Sequence, residues 1–194
     1  MPRVLVVYGT TDGHTRRIAG RMAEVLVALG QEAQVVDSAA PPAEVAPGDF
    51  DAALVLGSVR MGKHPRALEE FVRKFRVELD AIPNAFVSVS LSAGRDKPSA
   101  KREVAKCFRH FSERTAWLPN ARLAVAGALP YSRYPLHIRL VMKFIAWMTG
   151  GDTDTSRDYE YTDWALVEDF ARRFASALVQ APIARAAAEE MQLH

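Results

Sequence analysis

The sequence of 194 residues contains a single cysteine, Cys107, and carries a formal net charge of only +2. One cysteine forms no intrachain disulfide and builds no thiolate metal cluster, so a reducing compartment fits best. We expect Cys107 itself to be inert. The near-neutral charge argues against nucleic acid as a partner, because a strongly polyanionic ligand selects a basic surface.

Long apolar runs are also missing. None reaches the roughly 18–20 residues that a membrane-spanning helix requires. The N-terminus passes directly from Met1-Pro2-Arg3 to the short apolar run 4–7, without the longer apolar region and cleavage site of a signal peptide. We expect a single domain, because this length supports one well-buried core.

Short apolar segments alternate with amphipathic ones along the chain. An alternation of strands and helices requires parallel crossovers, and it predicts an α/β fold with a doubly wound five-stranded parallel sheet. Ligands of such folds bind beyond the carboxyl ends of the strands. The predicted strands are 4–8, 34–37, 52–57, 85–90 and 122–127, and the predicted helices are 14–29, 67–79, 101–114 and 163–178.

The connection between the fifth strand and the last helix, residues 128–162, is longer than such a connection needs to be. We predict a helical insertion there. It belongs to a single domain of residues 1–180, and an alanine-rich tail, which we expect to be helical or frayed, follows at 181–194.

The insertion is very apolar between residues 128 and 148, and its cations face no acidic residue in that range. These cations are Arg133, Arg139 and Lys143. The pattern suits either an element on an anionic membrane surface or the wall of a pocket for a large, flat ligand bearing carboxylates. A core helix or a homo-oligomer interface is the alternative.

The first strand ends in the loop Gly9-Thr10-Thr11-Asp12-Gly13-His14-Thr15, directly before the first helix. A helix N-terminus presents backbone N–H groups and a partial positive charge, and threonine hydroxyls add donors. The loop lacks the GKS or GKT ending of a P-loop and the G-x-G-x-x-G of a dinucleotide fold. A monophosphate is therefore the predicted ligand, although ordinary turns and helix caps use the same residue types.

This loop, with Tyr8 before it, resembles in order and spacing the FMN phosphate loop of flavodoxins. The resemblance implies a flavodoxin-like fold with sheet order 2-1-3-4-5 and FMN as the cofactor. Asp12 departs from the pattern, since flavodoxins usually carry threonine there and a carboxylate repels a phosphate, so we expect its side chain to turn away. The residues assigned to the phosphate are Thr10, Thr11, Asp12, Gly13, His14 and Thr15.

The same resemblance implies that the loops after the third and fourth strands hold the isoalloxazine ring. Flavodoxin carriers usually stack aromatic side chains on the ring, whereas Met61 takes the first such position and the second loop has no aromatic residue. The residues assigned to the ring are Ser58, Val59, Arg60, Met61 and Gly62 in one loop, and Ser90, Leu91, Ser92, Ala93 and Gly94 in the other.

Three cations lie in or beside these two loops, namely Arg60, Lys63 and Arg95. Cations near the ring stabilise a reduced anionic flavin, so we hypothesise a raised midpoint potential suited to a quinone acceptor. The alternative is that all three are ordinary solvated surface charges.

Three further strings are similar to a more specific family, the flavodoxin-type, menaquinone-dependent protoporphyrinogen IX dehydrogenases. The likeness covers most of residues 3–178. The strings are Gly127-Ala128-Leu129 with Tyr131 and Arg133-Tyr134, Gly150-Gly151-Asp152-Thr153-Asp154-Thr155, and Tyr161-Thr162-Asp163-Trp164.

This closer resemblance implies an enzyme of haem biosynthesis that oxidises protoporphyrinogen IX to protoporphyrin IX. Electrons would pass to flavin N5 in successive two-electron steps and then to menaquinone or ubiquinone. It also implies a cytoplasmic protein bound peripherally to the inner-membrane surface. Arg133, Arg139 and Lys143 become candidates for pairing with substrate propionates or lipid headgroups.

Two other functions remain open. An electron-transfer flavodoxin has no substrate of its own, and the missing ring aromatics, the near-neutral charge and the apolar insertion count against it. An NAD(P)H:quinone reductase of related fold is the second, and direct bleaching of the flavin by NADPH would favour it.

Overall fold

The computed structural model describes residues 1–129 and 159–192, with side chains as far as residue 179. Five parallel strands form one sheet in the order β2-β1-β3-β4-β5. The predicted α/β class, the parallel sheet and its strand order are thereby confirmed. The strands are β1 (Arg3–Gly9), β2 (Glu32–Asp37), β3 (Ala52–Ser58), β4 (Asn84–Ser90) and β5 (Ala121–Ala126).

Helices cover both faces of this sheet, which explains the continuous apolar runs of its strands. The helices are α1 (His14–Ala28), α2 (Arg66–Lys74), α3 (Arg76–Ala81), α4 (Pro98–Thr115) and α5 (Trp164–Gln192), and short 3-10 turns lie at Pro47–Asp49 and Leu91–Gly94. Val4 and Val6 of β1 face the core beneath α1 and α5, whereas Leu5 and Val7 face the core beneath α2, α3 and α4. All four side chains are fully buried.

The single helix predicted at 67–79 is wrong, because the chain breaks at Phe75 into α2 and α3. Phe71 before the break and Leu79 after it both reach the same core cluster. The apolar spacing therefore runs on without a gap and hides the break. At the other end of the chain, α5 continues to Gln192 through the segment predicted as an alanine-rich tail.

A second, two-stranded sheet lies where the insertion leaves and rejoins the domain. Strand β6 (Ala128–Leu129) pairs antiparallel with β7 (Tyr159–Glu160). This ladder, which the sequence did not predict, brings both ends of the insertion to the carboxyl end of β5. The cations Arg133, Arg139 and Lys143 lie outside the described residues. Among the helices of the described ranges, none is long and apolar enough to cross a membrane.

Glycine at the end of β1 allows α2 to pack directly on the sheet. A Cβ atom at Gly9 would lie 2.9 Å from Leu68 Cβ, 3.2 Å from Ser38 Oγ and 3.3 Å from Pro65 Cγ. Leu68 is fully buried, and the helix backbone fixes its Cβ, so this neighbour has no rotamer that relieves the contact.

We expect Gly9→Ala to lower the free energy of unfolding by about 1–2 kcal/mol, because overpacking forces backbone shifts. Gly20→Ala is the matched control, since a Cβ there meets nothing within 4 Å. Gly20 lies within α1, so alanine should raise the free energy of unfolding by about 0.5–1 kcal/mol. Urea unfolding followed by circular dichroism measures both variants. Shifts of the same sign would contradict the packing argument.

Candidate functional site

The loop between β1 and α1 has the backbone geometry of an anion site. The amide of Gly13 donates to Thr10 Oγ1 at 2.9 Å, which closes the turn. Gly13, at the N-cap position of α1, has φ +86° and no side chain, and the first helical turn contains no acidic residue. The positive end of the helix dipole therefore faces the loop. Thr11 is exposed, and Asp12 and His14 are half-buried.

Two buried hydroxyls lie at this edge without a hydrogen-bond partner among the described residues, those of Thr15 and Ser58. Thr15 is only 1% exposed. Ser58 continues the alternation of Leu54 and Leu56, whose side chains pack on the α1 side of the sheet. Buried hydroxyls are normally hydrogen-bonded, so this pair indicates a polar ligand at the N-terminus of α1.

Three other buried polar atoms share the lack of a partner in the described part of the chain: Ser38 Oγ, Gln31 Oε1 and Trp117 Nε1. Trp117 belongs to the core on the opposite face, and Ser38 follows Val36 onto that face. Gln31 precedes β2 and so lies at the amino end of the sheet. Of these five atoms, only those of Thr15 and Ser58 combine the α1 face with the carboxyl edge of the sheet, where the N-terminus of α1 suits an anionic ligand.

The loop after β3 forms a tight turn with a methionine at its tip. Arg60 and Lys63 exchange backbone hydrogen bonds of 2.9 and 3.1 Å. Met61 and Gly62 between them have φ values of 51° and 75°, as in the two-residue hairpin turns that require left-handed residues. Met61 is 95% exposed. The predicted ring loop thus exposes the Met61 side chain between two cations. Beneath this turn, Cys107 Sγ lies 4.0 Å from the Gly62 carbonyl oxygen.

The loop after β4 folds into the 3-10 turn Leu91–Gly94. Ser90 Oγ accepts from the Ala93 amide at 3.3 Å, and Ser92 Oγ donates to Glu103 of α4 at 2.6 Å. The Val59 amide donates to Val89 O at 2.7 Å, which holds the loop after β3 against the end of β4. The structure therefore brings both loops together at the edge that holds the phosphate loop, as predicted for one cofactor. Contacts between FMN and individual residues stay a prediction.

A hydrogen-bonded chain that the sequence did not predict connects the phosphate loop to the insertion. His14 Nε2 lies 2.7 Å from Thr162 Oγ1, and the Thr162 hydroxyl donates to Ala126 O at 2.7 Å. Because the Thr162 hydroxyl donates its only proton to the Ala126 carbonyl, it accepts a hydrogen bond from His14, and His14 must donate through Nε2–H. Burial lowers the pKa of His14, the nearby Glu160 opposes this, and Arg17 adds to it. His14 is thus held as the neutral Nε2–H tautomer.

A second group of contacts fastens the returning strand β7 to α1. Glu160 accepts from Arg17 at 2.8 Å and from Trp164 Nε1 at 2.7 Å. The Arg17 guanidinium lies 5.6 Å from the Trp164 ring centroid. Trp164, which opens α5, also packs against the core on this face. The base of the insertion is therefore fixed beside the N-terminus of α1.

A model of the flavodoxin domain family matches residues 5–156. The chain therefore belongs to the flavodoxin family, and this membership implies FMN as the cofactor that Thr15 and Ser58 fit. A short-chain flavodoxin associated with a PDU bacterial microcompartment shares the fold. Its TM-score is 0.53 at 14% identity, over 93% of this chain and 98% of that structure.

The chain is also similar to two enzymes called protoporphyrinogen IX dehydrogenase (quinone). The protein of Escherichia coli (strain K12) is 36% identical over 177 residues, covering 89% of this chain and 94% of that protein. The protein of Leishmania major is 37% identical over 183 residues, covering 93% of this chain and 78% of that protein. At this identity and coverage, the chain shares the family of these two enzymes.

Proposed function

We propose that the chain oxidises protoporphyrinogen IX to protoporphyrin IX, with FMN as its cofactor and a respiratory quinone as the electron acceptor. The observation that carries the proposal is the meeting of two features at one edge of the sheet. The hydroxyls of Thr15 and Ser58, which have no partner in the described part of the chain, suit a flavin phosphate, and the base of the insertion is fastened beside them through His14 and Thr162. The two related enzymes supply the substrate class.

Each part of the edge has a separate task in this proposal. When bound, FMN supplies a two-electron acceptor at its ring. Thr15 and Ser58 hold the phosphate, so Ser58 serves the phosphate and not the ring for which it was predicted. The loops 59–62 and 90–94 border the ring. Neither loop offers an aromatic side chain, so a large substrate has room beside the ring. The exposed cations Arg60 and Lys63 suit a raised reduction potential of the flavin, at which a quinone can still accept its electrons.

The finer assignment is part of the same proposal. We infer menaquinone as the acceptor, a place in haem biosynthesis, and a cytoplasmic protein attached peripherally to the inner-membrane surface. The membrane attachment is supported by the sequence of the insertion, which is apolar between residues 128 and 148 and carries cations without acidic residues. Such a composition favours contact with anionic lipid headgroups.

The decisive experiment mixes FMN-loaded protein with protoporphyrinogen IX in the absence of oxygen. We expect the oxidised flavin absorbance to bleach as protoporphyrin fluorescence appears, and a menaquinone analogue to restore the absorbance. No bleaching by the porphyrinogen would remove the proposed substrate, and bleaching without restoration would remove the quinone. Bleaching by NADPH alone would favour an NAD(P)H:quinone reductase.

A further inference from the structure

A groove of about 530 Å³ opens beside the predicted ring loop, at the outer edge of the sheet. Its walls are the 3-10 turn after β4, the outer strand β5 and the start of α5. A volume of this size falls within the range of roughly 300–1,000 Å³ that is typical of ligand sites. The groove lies against Ser92, Ala93 and Gly94, so a ligand in it would border the flavin ring.

The walls of the groove are largely apolar. Its apolar lining residues are Ala124 and Ala126 of β5 together with Val104, Tyr161 and Leu166. The two alanine side chains project little beyond the backbone of β5, so they leave room for a bulky ligand. Such a lining suits a large apolar ligand.

Charges lie on the rim of the groove, where two cations face two carboxylates. The cations are Arg95 and Lys101, and the carboxylates are Asp96 and Asp163. Asp163 is engaged with the backbone of α5, since Asp163 Oδ1 accepts from the Leu166 amide at 3.0 Å. Asp96 is the partner of Lys101, at 2.6 Å.

The pair of Lys101 and Asp96 is open to exchange. Its side chains are 71% and 90% exposed, and exposed ion pairs contribute little stability. A ligand carboxylate at the rim can therefore replace Asp96 as the partner of Lys101. A quinone headgroup carries no charge and does not need such a cation, whereas a porphyrinogen carries two propionates on a large, apolar macrocycle.

We propose that this groove binds the porphyrinogen, with its macrocycle against Ala124 and Ala126 of β5 and one propionate paired with Lys101 in place of Asp96. This inference rests on the proposed function for the identity of the ligand. It assigns substrate recognition to α4 and to the turn after β4, in addition to the insertion.

The test uses FMN-loaded protein and three variants with opposite expectations. Lys101→Gln should raise KM for protoporphyrinogen IX about fivefold, without change in kcat or in KM for the quinone. Asp96→Asn should lower the same KM about twofold, because it removes the competing carboxylate. Arg109→Gln is the matched control, since Arg109 is also an exposed cation of α4 but does not line the groove.

A binding measurement separates the groove from the chemistry. In a fluorescence titration, protoporphyrin IX should bind Asp96→Asn more tightly than the wild type and Lys101→Gln more weakly. Its dimethyl ester, which lacks the carboxylates, should bind the wild type and Lys101→Gln equally. Equal affinity of the wild type and Lys101→Gln for the free acid would overturn the proposed binding site. Two other results would do the same: an Arg109→Gln variant that loses as much affinity as Lys101→Gln, or a Lys101→Gln variant in which only KM for the quinone changes. A wild type that binds the acid through Lys101 but does not oxidise the porphyrinogen would contradict the proposed function and leave the groove supported as a carboxylate-porphyrin site.

Discussion

Replacing Thr15 by valine should weaken FMN binding by about ten- to a hundredfold, because a buried hydrogen bond to a charged phosphate is lost. Thr15 Oγ1 is buried and has no partner within the described ranges, so the protein itself gives up no contact. Valine has nearly the shape of threonine. The apoprotein should therefore be as stable as the wild type or slightly more stable, since an unpaired buried hydroxyl is removed.

The serine variant at the same position supplies the control. Thr15→Ser keeps the hydroxyl and loses a methyl group, so it should retain FMN affinity while losing some stability of the apoprotein. Titrations with FMN and with riboflavin, followed by flavin fluorescence, measure the effect. Riboflavin lacks the phosphate, so its affinity should be the same in the wild type and in Thr15→Val. An unchanged FMN affinity in Thr15→Val would place the phosphate elsewhere.

The phosphate loop could be predicted because its signal is local. In a parallel sheet, a threonine- and glycine-rich turn between an apolar run and an amphipathic helix lies at the carboxyl end of a strand, directly before the next helix. Residues 10–15 lie at this position, between β1 and α1. The strand order was equally accessible through the resemblance to flavodoxins. Local patterns do not reveal which hydroxyls stay unpaired, and only the structure separates Thr15, which is 1% exposed, from the exposed Thr11.

The contacts that the sequence did not predict join residues far apart in the chain. His14 and Thr162 are 148 positions apart, and the β6–β7 ladder pairs Ala128 with Glu160 through two residues on each side. Neither residue set has a periodicity that marks the pairing. The one available signal was the string 161–164, which resembles the dehydrogenase family, but a resemblance does not state what Thr162 touches.

The turn at Met61 was missed for a different reason. A non-glycine residue with φ +51° is disfavoured by about 1 kcal/mol, so residue preferences argue against it. The hydrogen bonds between Arg60 and Lys63 and the packing of Cys107 beneath the turn hold it in place. Strain of this kind occurs often where a loop serves a ligand, and here it lies in the loop predicted to border the flavin.

Acid should destabilise the folded protein through His64, a buried histidine after the Met61 turn. The His64 ring is 7% exposed and packs against Phe86 and Phe111, and Nε2 lies 3.0 Å from Ser88 Oγ. Burial, with a smaller contribution from His110, lowers the pKa of His64 from 6.5 to about 4. The folded state therefore holds His64 neutral where the unfolded chain already binds a proton.

The sign of the pH dependence follows from these two pKa values. Above pH 6.5 His64 is neutral in both states, and stability from this residue is complete. As the pH falls from 6.5 towards 4, the unfolded state binds more protons, so the free energy of unfolding decreases. The loss from His64 is about 2 kcal/mol at pH 5 and approaches about 3 kcal/mol below the folded pKa.

His64→Gln isolates this contribution, because glutamine does not titrate and can still hydrogen-bond to Ser88. Urea unfolding at about pH 7.5 and about pH 5 should show that the wild type loses about 2 kcal/mol more than the variant between the two conditions. A general loss of packing in the variant lowers the free energy of unfolding equally at both pH values, so it cancels when the two values are subtracted. His110→Gln should keep most of the wild-type loss, since burial is the larger cause. Equal losses in the wild type and His64→Gln would mean that His64 is protonated in the folded protein.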